Sequence, residues 1–121
     1  MINSILVVED NEELQLLYKL VLELAGYQVA TVNNEINILD FVEKIRPQLI
    51  LMDTMMSGIN GLQISRKIKE NFDNRSLPVL LVSAINGIKD RQLADSKADS
   101  IIYKPFNPND LTSQVKKLIS H

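Results

Sequence analysis

The chain contains no cysteine, and its one histidine is His121, the last of its 121 residues. Without cysteine it can form no disulfide, no thiolate metal site and no cysteine nucleophile. A lone terminal histidine also excludes a histidine-rich metal centre and a Ser-His-Asp triad. Basic residues are few, with 13 Lys and Arg against 15 Asp and Glu, whereas nucleic acid binds to basic surfaces. This balance argues against direct binding of nucleic acid.

Long apolar runs are also missing. Short ones such as Leu49 to Met52 and Val79 to Val82 fall well below the roughly 18 residues that a membrane span requires. The N-terminus shows no basic start followed by an apolar stretch, which a signal peptide would have. We therefore expect no membrane association and a cytoplasmic location. The length fits one domain, residues 1–121, and we expect no output domain.

Two kinds of segment alternate along the chain. The first kind is short, apolar and rich in β-branched residues. It lacks the polar alternation of a half-exposed strand, which favours strands buried on both faces of a parallel sheet. Five segments have this pattern: Ser4–Val8, Tyr27–Thr31, Gln48–Asp53, Val79–Ser83 and Ser100–Tyr103.

The second kind of segment is amphipathic and predicts helices. Apolar residues recur at helical spacing after each strand, while Gly26 and Pro47 stand where helices should end and Pro108 where one should begin. The predicted helices are 11–25, 35–46, 61–72, 88–96 and a last one that starts at Asn107. In the first helix the expected stripe is Leu14, Leu17, Tyr18, Val21, Leu24 and Ala25.

Five strand–helix repeats predict an α/β fold whose parallel sheet is covered by helices on both sides. We expect a flavodoxin-like, doubly wound, five-stranded sheet in the order 2-1-3-4-5, with five helices in a three-layer αβα arrangement. In open sheets of this kind, ligands bind beyond the carboxyl ends of the strands, at the point where the strand order switches.

Polar side chains stand at four of the five strand ends. Glu9 and Asp10 follow the first strand, Asp53 ends the third, Ser83 ends the fourth and Lys104 follows the fifth. Each residue alone has an ordinary structural role, as a helix cap, a turn residue or a surface charge. Because parallel strands bring these positions to one edge of the sheet, together they predict a site with three carboxylates, a hydroxyl and an ammonium.

Three carboxylates in one small hollow repel one another, at a cost of about 4 kcal/mol for each pair that is ~4 Å apart at an effective dielectric near 20. The site therefore needs a cation. Oxygen ligands with open positions favour Mg²⁺, with Mn²⁺ or Ca²⁺ as replacements in vitro. A carboxylate between Mg²⁺ and an ammonium suits phosphoryl transfer, in which the carboxylate attacks phosphorus and the cations neutralise the phosphoryl oxygens.

At this point the chain resembles the receiver domain of two-component response regulators, of the stand-alone type similar to chemotaxis regulators, over its full length. The acidic pair stands in Val-Val-Glu-Asp, which ends at Asp10, and the acceptor stretch from Asp53 to Gly61 contains Asp-x-x-Met and a later Asn-Gly. The hydroxyl stands in Leu-Val-Ser-Ala around Ser83, and the lysine opens Lys-Pro-Phe at Lys104.

The resemblance implies a role for each of these residues. Asp53 receives a phosphoryl group from the phosphohistidine of a sensor histidine kinase or a phosphotransfer protein, and Lys104 and Ser83 contact that group. Such a protein catalyses only its own phosphorylation and dephosphorylation and is not otherwise an enzyme. The implied Mg²⁺ ligands are Glu9, Asp10, Asp53 and the backbone carbonyl of Met55.

The resemblance also implies that the bond before Pro105 is cis. It implies that the protein signals to an unidentified downstream protein through the surface formed by the fourth helix, fifth strand and fifth helix. It also implies a monomer or a weak dimer. Ile101 stands where the family usually has Tyr or Phe, and Tyr103, two residues on, is a candidate to replace it. The candidate surface residues are Ile88, Arg91, Tyr103, Lys116 and Lys117.

Three alternatives stay open. A pseudo-receiver, which binds a partner without being phosphorylated, is favoured by Ile101 alone. An aspartate-nucleophile phosphatase of the haloacid dehalogenase type would have a paired-Asp motif after the first strand, where this chain has residues 9–12, Glu-Asp-Asn-Glu. A flavodoxin-like FMN carrier needs a loop rich in Ser, Thr and Gly there, and this loop is acidic.

Overall fold

The predicted strands form one parallel sheet in the computed structural model, which describes residues 4–33, 38–56, 59–72, 77–84 and 88–119. The sheet order is β2-β1-β3-β4-β5, and every neighbouring pair is parallel. This confirms the flavodoxin-like order predicted from the sequence. The strands are β1 (Ser4–Val8), β2 (Gln28–Val32), β3 (Leu49–Asp53), β4 (Val79–Ala84) and β5 (Ser100–Lys104).

Helices follow the strands as predicted. The Oδ1 of Asn11 caps the first by accepting a hydrogen bond from the Leu14 N–H at 2.9 Å, and Gly26, at φ +100°, lies just beyond its end. The start predicted for the second helix, at Glu35, lies outside the described residues. No helix in the described ranges is long and apolar enough to cross a membrane. The helices are α1 (Glu12–Leu24), α2 (Ile38–Ile45), α3 (Gly61–Asn71), α4 (Asp90–Ser96) and α5 (Pro108–Ile119).

Successive strand residues point to opposite faces of the sheet and so build two separate hydrophobic cores. One core contains Ile50 of β3 and packs under α2 and α3. The other contains Leu49 and Leu51 of the same strand and packs under α1 and α5. All five residues of β3 are buried, as expected for the central strand of a three-layer fold.

The buried stripe predicted for α1 is partly wrong. Tyr18 is 2% exposed as predicted, but its inward neighbour is Leu22 at 0%, while Leu17 is 48% and Leu24 is 88% exposed. Leucines stand on several sides of this helix, so their spacing alone does not show which side meets the sheet. Four exposed leucines lie within about 100° of one another around the helix axis. We call them the α1 leucine face: Leu16, Leu17, Leu20 and Leu24.

A buried ion pair holds the edge of the sheet where the strands begin. The Lys69 ammonium of α3 lies 2.6 Å from Asp99 Oδ2 and donates to the Leu77 carbonyl at 3.0 Å. The same Asp99 oxygen accepts the Val79 N–H at 2.8 Å. Because the Lys69 side chain is 2% exposed, its charge depends on these protein partners in place of water.

This pair predicts a large stability loss for Asp99→Asn. The substitution removes the Asp99 carboxylate from the buried ammonium, which we expect to lower the free energy of unfolding by about 3 kcal/mol, the low end for a buried pair because Asp99 is 29% exposed. Urea denaturation measures the change. Glu70→Gln is the control, because Glu70 pairs with Arg66 and Lys97 on the exposed surface and such pairs contribute little. Equal losses in the two variants would contradict the assignment of Asp99 as the partner of a buried charge.

Candidate functional site

An ion pair joins the carboxyl ends of β3 and β5. The Lys104 Nζ lies 2.7 Å from Asp53 Oδ2, with the Asp53 side chain 5% and the Lys104 side chain 35% exposed. Strand alternation places both residues on the sheet face of α1 and α5, since Leu51 and Ile102, two residues before them, belong to that core. The predicted meeting of these two residues is therefore confirmed.

The backbone that follows Asp53 is fixed by its neighbours. The Thr54 N–H donates to the Val82 carbonyl at 2.9 Å, and the Gly61 N–H donates to the Thr54 carbonyl at 3.0 Å. Asn60 caps α3, because its Oδ1 accepts the Leu62 N–H at 3.0 Å. The Asn-Gly pair noted in the sequence thus begins α3 directly against the backbone of Asp53.

Gly61 permits this close approach because it has no Cβ. A Cβ at this position would lie 2.2 Å from the Asp53 carbonyl oxygen and 2.9 Å from the Thr54 Cα. Both contacts are with backbone atoms, which cannot rotate away as a flexible side chain can. Any larger residue must therefore move α3 or Asp53.

Glu9 is the buried carboxylate beside this pair. It is 3% exposed, and its Oε2 has no hydrogen-bond partner among the described residues. Burial and then the negative charge of Asp53 raise the pKa of Glu9 to about 7, against the opposing charge of Lys104 and a backbone hydrogen bond from Asn11. Glu9 thus shares one electrostatic environment with Asp53 and Lys104.

The other predicted site residues are placed less directly. Asp10 is half-buried and adds a smaller repulsion to Glu9. The Ser83 hydroxyl donates to the Ala84 carbonyl at 3.0 Å, and strand alternation puts Ser83 on the face of α2 and α3, opposite to Asp53. Met55 begins a short antiparallel pair with Asn60. The roles of these three residues at the site stay predictions.

A divalent cation fits the chemistry of this hollow. The Glu9 Oε2 is a buried anionic oxygen without a protein partner, and it stands in the field of a second carboxylate. Mg²⁺ binds through one or two carboxylates and retains waters. Among the described residues no group of three or more His, Cys, Asp or Glu could hold a metal ion, so the ligand set inferred from resemblance stays a prediction.

Sequence reasoning missed two residues at this site. The Gln15 side chain of α1 donates a hydrogen bond to the Glu9 carbonyl and ties the acidic loop to the helix. The Tyr18 phenol lies within electrostatic reach, because the charges of Asp53 and Glu9 add to burial in raising its pKa above the usual range. Tyr18 was expected in the core, and nothing in the spacing of the sequence indicates that it lies near the site.

Comparison with known proteins gives a consistent result. A family model for the response regulator receiver domain matches residues 5–116. The DNA-binding response regulator MtrA of Mycobacterium tuberculosis is 32% identical over 113 residues, which are 93% of this chain and 48% of MtrA. The chain spans about half the length of the curated relatives it matches.

Solved structures share the fold. A response regulator receiver domain from Bermanella marisrubri has a TM-score of 0.88 at 24% identity, over 99% of this chain and 100% of that one. The receiver domain of a signal transduction histidine kinase from Syntrophus aciditrophicus has a TM-score of 0.83 at 34% identity, over 98% of this chain and 90% of that one.

The raised pKa of Glu9 predicts that the protein without divalent cations loses stability as the pH rises. Between the ordinary value of 4.5 and about 7, the native state binds a proton that the unfolded state has released, so the free energy of unfolding falls across this window. Glu9→Gln, which carries no charge, should be more stable than the unaltered protein near pH 8, by on the order of 3 kcal/mol.

Urea unfolding near pH 5 and near pH 8, with a chelator present, measures this effect. Glu13→Gln is the matched control, because Glu13 is an exposed glutamate of α1. An unaltered pH slope in Glu9→Gln would show that the Glu9 carboxyl is not responsible for it.

Gly61→Ala tests the close approach of α3. The new methyl group must displace backbone, and we expect a loss of about 1–3 kcal/mol in the free energy of unfolding, with Asp53 moved from its position beside Lys104. Circular dichroism during urea unfolding measures the loss. Gln63→Ala, an exposed change in the same helical turn, should have little effect, and equal stability of the two variants would refute the clash.

Proposed function

The chain belongs to the response regulator receiver domain family, and from this premise we propose that Asp53 is its phosphoacceptor and that phosphorylation switches the binding of a downstream protein. One observation carries the proposal. The Lys104 ammonium lies 2.7 Å from a nearly buried Asp53 carboxylate, beside a second buried carboxylate, Glu9. Phosphoryl transfer uses a nucleophile, a fixed positive charge and anionic oxygens that bind a cation.

The proposed reaction needs little covalent chemistry from the protein. An Asp53 carboxylate oxygen attacks the phosphorus of a phosphohistidine, the P–N bond breaks, and its electron pair returns to the imidazole of the donor. Lys104 then exchanges its contact with Asp53 Oδ2 for one with a phosphoryl oxygen. Glu9, Asp10, Asp53 and the Met55 carbonyl would hold Mg²⁺, which would supply further positive charge to the phosphoryl oxygens.

We propose a histidine kinase or a phosphotransfer protein as the donor. Its phosphohistidine must reach Asp53, so we expect its surface to contact the neighbouring start of α1, two residues after Asp10. The α1 leucine face provides exposed apolar area there, with Leu16 and Leu17 at 57% and 48% exposure. An exposed apolar patch next to a reactive site favours a protein partner.

The proposed output surface is the face of α4, β5 and α5. Arg91, Lys116 and Lys117 are exposed on it and Ile88 is half-buried. Tyr103, 39% exposed, pairs in register with Ser83 across β4 and β5, so a shift of Ser83 would reach it through the strand ladder. Ile101 packs against the core under α2 and α3, which leaves Tyr103 as the aromatic candidate for the switch.

Asp53→Ala tests the phosphoacceptor. Incubation with Mg²⁺ and acetyl phosphate should add the mass of one phosphoryl group to the unaltered protein, because Asp53 is a nearly buried carboxylate in contact with Lys104. Asp53→Ala should gain none, and Asp40→Ala, an exposed carboxylate of α2, should behave as the unaltered protein. Intact-mass spectrometry measures all three.

Other outcomes would contradict the proposal in distinct ways. No mass gain in the unaltered protein would favour the pseudo-receiver alternative. Repeated turnover of a phosphate ester would favour a phosphatase. A mass gain that persists in Asp53→Ala would place the acceptor elsewhere.

A further inference from the structure

Tyr18 lies in the core beneath the proposed phosphorylation site. It is 2% exposed and packs in the cluster that contains Leu51 of β3 and Ile102 of β5. These two residues precede Asp53 and Lys104 by two positions, so the pair extends the same sheet face that Tyr18 covers. The tyrosine is therefore close to the site although it comes from α1.

The Tyr18 ring is stacked on Phe106. The ring centroids are 6.3 Å apart and the planes differ by 11°. Phe106 follows Lys104 by two residues, after the cis bond to Pro105. The segment 104–106 is thus held at one end by the ion pair with Asp53 and at the other by the stack with Tyr18.

The packing around this stack is not complete. A pocket of about 210 Å³ that is partly open to solvent borders it, lined by residues of α1 and of the start of α5 that include Leu17 and Leu111. The Tyr18 hydroxyl has no hydrogen-bond partner among the described residues, which is unfavourable for a buried polar group. Loss of the ring would leave Phe106 beside a larger void and free to move.

We propose that Tyr18 is a positioning residue for Lys104, acting through its aromatic stack on Phe106. The ring carries this role, and the hydroxyl does not. The proposal rests on the proposed function for its kinetic consequence, since the placement of Lys104 against Asp53 is what the stack maintains. Its structural consequence, the protection of the Lys104 amine, holds whether or not Asp53 accepts a phosphoryl group.

Three variants separate this role from ordinary packing. Tyr18→Leu removes the ring, Tyr18→Phe removes only the hydroxyl, and Leu22→Ala opens the same core one turn further along α1. All are compared at a temperature where each is folded. Tyr18→Phe should have a higher urea midpoint than the unaltered protein, because it removes a buried unpaired hydroxyl.

The first measurement is phosphorylation by acetyl phosphate at saturating Mg²⁺. We expect Tyr18→Leu to lower the rate at saturating donor roughly tenfold, as a displaced catalytic group does, with the half-saturating donor concentration unchanged. Tyr18→Phe and Leu22→Ala should both keep the rate of the unaltered protein. An unaltered rate in Tyr18→Leu, or an equal loss in Leu22→Ala, would overturn the proposal.

The second measurement does not depend on phosphorylation. Limited acetylation followed by mass spectrometry gives the labelling rate of Lys104 relative to Lys67, an exposed lysine of α3. Tyr18→Leu should raise this ratio several-fold, whereas the other two variants should not. If the unaltered protein takes up no phosphoryl group but the ratio still rises, the proposed function fails and the positioning role stands; an unchanged ratio overturns the positioning role.

Discussion

The structure depends on a concentration of negative charge that one ammonium only partly balances. Glu9 and Asp53 are both nearly buried, and Lys104 contacts Asp53 while one Glu9 oxygen has no partner in the described part of the chain. Repulsion between buried carboxylates grows as water is excluded. The arrangement is therefore unfavourable to the fold, and added positive charge in the hollow would relieve it.

The burial of the sheet on both faces explains how the fold tolerates such a site. Every residue of β3 is buried, so Asp53 ends a fully buried central strand, and α3 packs closely against its backbone at Gly61. A reactive group on a rigid strand loses little conformational freedom when it reacts.

Much of this architecture was predictable from the sequence. The apolar runs gave all five strands to within one residue at either end. The strand-end rule selected Glu9, Asp10, Asp53, Ser83 and Lys104, of which Asp53 and Lys104 form an ion pair beside Glu9. The α1 stripe was predicted less well, because leucines surround that helix and Leu22 rather than Leu24 faces the sheet. Tyr18 was missed as a neighbour of the site because only the tertiary packing of α1 brings it under Asp53. Sequence spacing also could not show that Ser83 lies on the opposite face.

The Lys69–Asp99 pair makes the amino-terminal ends of the strands more strongly held than the carboxyl ends. It ties α3 to the segments that begin β4 and β5, whereas the mutually repelling carboxylates Glu9 and Asp53 lie at the carboxyl ends of β1 and β3. Local opening occurs most readily where buried contacts are fewest or least favourable. We therefore expect backbone amides to exchange more slowly where Lys69 and Asp99 anchor the starts of β4 and β5 than at the carboxyl ends of β1 and β3.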